Sequence, residues 1–320
     1  MARNRIIYQS ESVEVDGHTL LGVQSCSYGL DVTREDVLQF GDLGAIDRVI
    51  LEAPVANMEV SLYVNGLKGD DLNTIISKGI SGEGIDCHIS IAPEGADYVK
   101  ASALNTVSIT GGSLTSVSAE ASVGSIPTLT LGFEGTDLVY TSGGMAGAPG
   151  TGLNIATQSG VVVKMDQVSG SFTGHYVHPQ SCSVSFDLGV EGLQEMSYQT
   201  SAGLATSGNK FQYARVPSYP ATATMELEAF AIDQGMTMSL ASLNQKASEG
   251  AGNPNSGDKC NVGVDMGGTT FNLINSTLDS VSFSSSIGDT AATCTATFGV
   301  SIGGPESDSR LQTSGVSGPA

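Results

Sequence analysis

Tryptophan is absent from this chain, and aromatic residues make up only 6% of it. A protein that reads nucleic-acid bases needs aromatic platforms interleaved with cations, and neither is supplied here. Cations are scarce as well: 13 Lys and Arg stand against 33 Asp and Glu, a net charge of −20. The imbalance is not a tail, since residues 1–155 hold 7 basic and 19 acidic residues and residues 156–320 hold 6 and 14. A field of this sign repels a phosphate backbone. It suits solubility at high local concentration, or a surface past which a polyanion slides without sticking. Total charge is also low, 14% against roughly 25% in an average domain. Ser, Thr and Gly take up the difference, a mixture that favours strands and turns over helical bundles.

No apolar run approaches the ~20 residues of a membrane-spanning helix. The opening Met1–Tyr8 is basic but has no apolar stretch behind it, which reads against a secretory leader. The expectation is assembly in a cytoplasm, with no membrane partner. The five cysteines are an odd number in a chain too large to need staples. Cys26 and Cys182, and Cys87 and Cys260, sit in matching sequence contexts, and Cys294 stands opposite a leucine-type position near Leu129. A thiol that trades with leucine is a small core hydrophobe. Disulfides Cys26–Cys87 and Cys182–Cys260 remain conceivable alternatives.

What is present is a repetition. Gln24-Ser25-Cys26-Ser27 with Asp31 returns as Gln180-Ser181-Cys182-Ser183 with Asp187. Met58-Glu59-Val60 returns as Met225-Glu226-Leu227; Leu72-Asn73, Ser77 and Gly79 return as Leu243-Asn244, Ser248 and Gly250. Gly84 and Cys87 return as Gly257 and Cys260, and Leu114, Ser116-Val117-Ser118 as Leu278, Ser280-Val281-Ser282. All occur in the same order. The period is too long for a solenoid unit of roughly 20–50 residues, so the chain reads as a duplicated domain, each copy long enough to fold alone.

Each copy reads as strands with one helix. Alternation predicts strands over 25–32, 56–64, 86–92, 114–123 and 127–133, answered by 223–232, 278–287 and 291–302. Asp70-Asp71 opening a run that ends on Lys78 and Gly79 predicts a helix, answered by Met236 to Glu249 before Gly250. The pattern describes two tandem β-sandwich or barrel domains, each with one flanking helix. The boundaries are 1–145, with an N-terminal arm 1–10, and 146–304, leaving 305–320 as a disordered tail. Thr141 to Gly152 reads as a linker. The excursions Arg34–Pro54 and Gly189–Pro220 differ in length, as surface loops do, yet carry apolar residues such as Leu38, Phe40 and Leu43. Copy one also holds extra residues around Pro93 to Gly112, read as loop.

Chemical motifs are weak. Asp265-Met-Gly-Gly-Thr269-Thr270 resembles the phosphate loop of the sugar-kinase and actin superfamily, but it lies late in the chain and is explained by a Gly-Gly hairpin tip. The Gly-rich 143–152 lacks a Gly-Lys-Ser/Thr ending. His175 and His178 would face opposite sides of a strand, and Cys87 and His88 would point apart. Glu59 and Glu226 read as solvated, and Asp31 and Asp187 as turn or neighbour contacts. No residue is assigned a catalytic, cofactor-binding or metal-binding role; the chain reads as no enzyme.

The order of strand with long excursion (25–54), strand (56–64), helix (70–78) and closing strands (114–133), repeated from Ser181 to Ile302, resembles the tube domain of long-tailed phages and related injection machines. The resemblance covers most of the chain and rests on organisation, not on a signature. It implies a structural virion protein of the tail-tube type in a variant with two fused tube domains. Such chains form homotrimeric, pseudo-sixfold rings that stack into a conduit for DNA and contact other tail proteins, and the DNA passes through the lumen without being specifically bound. The arm at 2–10 and the loops 34–54 and 189–220 would then make the inter-ring contacts. The competing expectation is a tandem β-sandwich binding or capsid-decoration protein without tube assembly.

Overall fold

The structure is a computed structural model that describes residues 11–41, 43–50, 52–92, 104–144, 161–167, 175–177, 179–193, 199–200, 203–204, 214–230, 259–284, 292–303 and 310–314. It is mainly β, with one helix among the described residues. The first half contains β1 (Glu11–Val15), β2 (His18–Thr19), β3 (Val23–Asp31), β4 (Arg34–Leu38), β5 (Ala45–Ile50), β6 (Val55–Tyr63), α1 (Gly69–Ser81), β7 (Ile85–Ile91), β8 (Asn105–Ser122), β9 (Thr128–Gly135) and β10 (Val139–Ser142). The second contains β11 (Val161–Gln167), β12 (His175–Val177), β13 (Ser181–Leu193), β14 (Gln199–Thr200), β15 (Gly203–Leu204), β16 (Ala214–Phe230), β17 (Lys259–Met266), β18 (Thr270–Ser284), β19 (Thr293–Ile302) and β20 (Leu311–Ser314).

Period-two alternation decides the pairing. On β6, Ala56, Met58, Val60 and Leu62 are buried while Asn57 and Glu59 face out. A one-residue slip would exchange those faces, so register is strongly specified. Within the first half the antiparallel order is β3-β6-β9-β8, and within the second it is β13-β16-β19-β18. The registers correspond pair by pair: Tyr28↔Met58↔Phe133 in one half, Val184↔Met225↔Phe298 in the other. Even the irregularity of β8 between Leu114 and Ser116 returns in β18 between Leu278 and Ser280.

β8 and β18 are long because each serves two layers. Residues 105–112 of β8 pair with β7 and β10, and 113–120 with β9. Likewise β18 pairs first with β17 and β20, then with β19. The outer layers are completed by β1 and β2, and by β11 and β12. Apolar faces from both layers meet in one core that includes Val13, Cys87, Ile89, Leu131, Met225 and Phe298.

Several expectations change here. Asn105–Gly112, read as loop, is strand; Val107 and Ile109 are buried, and Gly111 sits at a bulge with φ 60°. Asn275 occupies the same place in the second half at φ 57°. Each of these left-handed residues donates its N–H to a side-chain oxygen, Gly111 to Asp86 and Asn275 to Asn261, at 2.8 and 2.9 Å. This register makes Cys260 the counterpart of Ile85, two residues off the Cys87 match suggested by sequence. Leu311–Ser314, expected within a disordered tail, is a strand on β18, as β10 is on β8. Leu311 and Thr313 are buried, which explains why a short run among Ser and Gly is ordered.

α1 opens with Asp70 and Asp71 and carries Lys78 in its last turn, as the helix dipole favours. It runs past Gly79 to Ser81 and is closed by Gly82 at φ 75°. Gly79 is inside the helix because a Cβ there would lie 2.8 Å from the Leu114 Cβ, so its smallness lets the helix lie close on β8. Lys78 also anchors the helix to the β1–β2 turn, reaching both oxygens of Asp16 at 2.8 and 2.6 Å. The second expected helix (236–249), the arm, residue 178 and most of the 141–152 linker lie outside the described residues; the linker's first two residues, Thr141 and Ser142, are not linker but the end of β10.

Candidate functional site

The two four-stranded units join edge to edge. β8 pairs with β13 from Ser122↔Ser181 to Ser116↔Asp187, giving a continuous inner sheet β3-β6-β9-β8-β13-β16-β19-β18. One face of this sheet is the core. The other presents hydroxyls and carboxylates: Ser27, Ser118, Thr130, Ser183, Ser185, Thr224 and Thr295, interspersed with Asp31, Glu59, Glu120, Asp187, Glu226 and Glu228. Hydroxyls satisfy one another and the acids across strands, as in Ser185–Thr224 at 2.6 Å and Ser181 donating to Glu228 at 3.1 Å. Among the described residues of these eight strands the one cation is Arg215, and its guanidinium is tied to Glu134 at 2.6 Å.

That ion pair belongs to the seam between the halves. Tyr219 of β16 donates to the Ile80 carbonyl at the end of α1. At the helix's other end, Thr313 of β20 donates its hydroxyl to the Gly69 carbonyl at 2.8 Å and its N–H to Asn73 at 3.1 Å. Asn65 donates to the Gly267 carbonyl at 3.1 Å. A first-half helix thus covers second-half strands, which makes the seam a two-layer contact.

The sequence motifs land as follows. Asp265 to Thr270 forms the β17–β18 hairpin tip: Met266 N–H donates to the Thr269 carbonyl at 2.9 Å and Gly268 N–H to Asp265 at 2.7 Å. Gly267 and Gly268 have φ of 81° and 117°. Two of the tip's amides, those of Met266 and Gly268, are therefore engaged in the turn. His88 is buried against Ser108, its Nδ1 2.8 Å from the hydroxyl, and is not paired with Cys87. His175 falls in β12 and His178 outside the described residues. Asp31 accepts from Asn57 at 3.2 Å on the polar face, a neighbour contact, and Glu59 and Glu226 are exposed there.

All five cysteines are free thiols. Burial pushes Cys26 and Cys182 up to about 12 and raises Cys87 and Cys294. Such thiols pack as hydrophobes and make poor nucleophiles.

The excursion 34–54 is a two-stranded arm rather than a loop: β4 pairs with β5, and Leu38, Phe40, Leu43 and Ile46 stand exposed on it. In the second half the arm is continuous with the sheet, since β13 and β16 extend to Leu193↔Ala214. Sequence reasoning missed the polar face as a unit, because its residues are spread over eight strands and only strand order assembles them. No family model matches this sequence, and no curated protein sequence matches it either.

Proposed function

We propose that this chain is a structural subunit of a tube of the phage-tail type, a virion component assembled in the host cytoplasm that conducts DNA. Three chains close a ring of six four-stranded units, and rings stack. The observation that carries this reading is the inner sheet: two equivalent units joined by strand edges, cored on one side and lined on the other by hydroxyls and carboxylates. Equivalent units joined head to tail generate a ring when the rotation closes. A carboxylate wall in the lumen keeps a polyanion from adhering. The exposed apolar arm of β4 and β5, with the arm at 2–10, supplies contacts between rings and to other tail proteins. The tandem tail-tube organisation is part of this proposal, as is the absence of enzymatic and cofactor roles.

Negative-stain electron microscopy of the purified full chain tests the reading. Hollow filaments or discrete rings are expected. A persistently monomeric protein under assembly conditions overturns it in favour of a binding or capsid-decoration module.

A further inference from the structure

We propose that the contact between chains copies the β8–β13 seam: β18 of one chain pairs antiparallel with β3 of the next, Phe283 opposite Tyr28 and Val281 opposite Leu30. The proposal rests on the ring reading and adds the strands, the register and the side chains that close the ring.

The internal repeat dictates the partner. β3 occupies in the first unit the place of β13 in the second, and β18 the place of β8. Within the chain, β8 and β13 meet. Among the described residues β3 pairs with β6 alone, and residues 280–284 of β18 pair with β19 alone. One end of the sheet therefore offers the strand type that the other end accepts.

The register follows by substitution. Inside the chain Val184 faces Ala119 and Phe186 faces Val117. Replacing each by its counterpart sets Tyr28 against Phe283 and Leu30 against Val281, with Gly29 against Ser282 between them. Asp31 then faces Ser280, as Asp187 faces Ser116, so no carboxylate opposes another.

Burial points the same way. Val184, Phe186, Val117 and Ala119 are buried in the seam, whereas Tyr28, Leu30 and Phe283 are 39%, 43% and 47% exposed. These are core-face positions left open at a sheet edge. Neither edge carries the Lys or Pro with which soluble proteins block strand addition. At the Tyr28–Phe283 pair the side chains are larger than their seam counterparts Val184 and Ala119, while Leu30 and Val281 stand in the places of Phe186 and Val117. Where two chains must find each other, the two aromatic rings at that pair supply extra apolar area that association requires.

Cysteine cross-linking tests the register. Chains carrying both Tyr28→Cys and Phe283→Cys, allowed to assemble and then oxidised, should give a ladder on non-reducing gels that ends at three chains. A second pair on the polar face, Gly29→Cys with Ser282→Cys, should do the same and serves if the first variant folds poorly. The pair Leu30→Cys with Phe283→Cys, two residues out of register, should give at least tenfold less product. Equal or greater product from the offset pair, or filaments that cross-link at neither expected pair, overturns the register and leaves the tube standing. Wild-type chains that stay monomeric overturn both.

Discussion

At the residue scale, the seam is held by an asymmetric ion pair. The Arg215 side chain is 7% exposed and that of Glu134 28%. Nε and Nη2 of Arg215 are buried without a partner among the described residues, so the guanidinium leans on Glu134 for compensation. Removing the acid strands a buried cation; removing the base leaves a carboxylate that water can reach. Glu134→Ala should therefore cost about 3–5 kcal/mol, the penalty of stranding a buried charge, and Arg215→Met distinctly less, because the carboxylate it leaves behind is in reach of water. Urea denaturation of the two variants compares these costs. A larger loss for Arg215→Met would show that the pair is a net stabiliser, against this account. No sequence signal announced it: the partners are 81 residues apart and lie in different halves.

At the element scale, β20 and α1 hold each other across the seam. Leu311 is buried, and Thr313 bonds to Asn73 and the Gly69 carbonyl. Leu311→Ala should cost about 2–3 kcal/mol, as truncation of a buried leucine does, and should raise hydrogen exchange in α1. A loss below about 0.5 kcal/mol, the level of an ordinary surface substitution, would mean that the strand does not dock. The strands with strict alternation, such as β6, and the Gly-Gly hairpin were legible because period and turn chemistry are local. The first half of β8 was not, because Gly111-Gly112 reads as a break while serving as a bulge inside one long strand. β20 was hidden for a related reason: four residues carry too little pattern, and what orders them is a helix some 240 residues earlier. The disposition of the cysteines needed registers as well, since the bulge between Cys260 and Val262 shifts the sequence match.

At the scale of the whole molecule, the charge of −20 acquires a direction. Glu59, Glu120 and Glu226 are exposed on the polar face of the inner sheet, away from the core, and lie on β6, β8 and β16 rather than on the β3 and β18 edges proposed to join chains, Glu59 standing across from Ser27. Their reversal should leave assembly intact while changing what the wall does to a polyanion. Filaments of a triple Glu59→Lys, Glu120→Lys, Glu226→Lys variant should retain a fluorescent DNA duplex at low salt, where wild-type filaments retain none. Retention should fall steeply as salt rises, with a log–log slope near −0.9 for each phosphate neutralised. Asp70→Lys with Glu83→Lys, two exposed positions at the ends of α1, provides the control. If the polar face lines a lumen, the control differs from the triple variant in where DNA is held: on the filament exterior, accessible to nuclease, rather than protected inside. Nuclease-sensitive DNA on the triple variant would place the polar face outside, and would remove the argument that connects this sheet to a conduit.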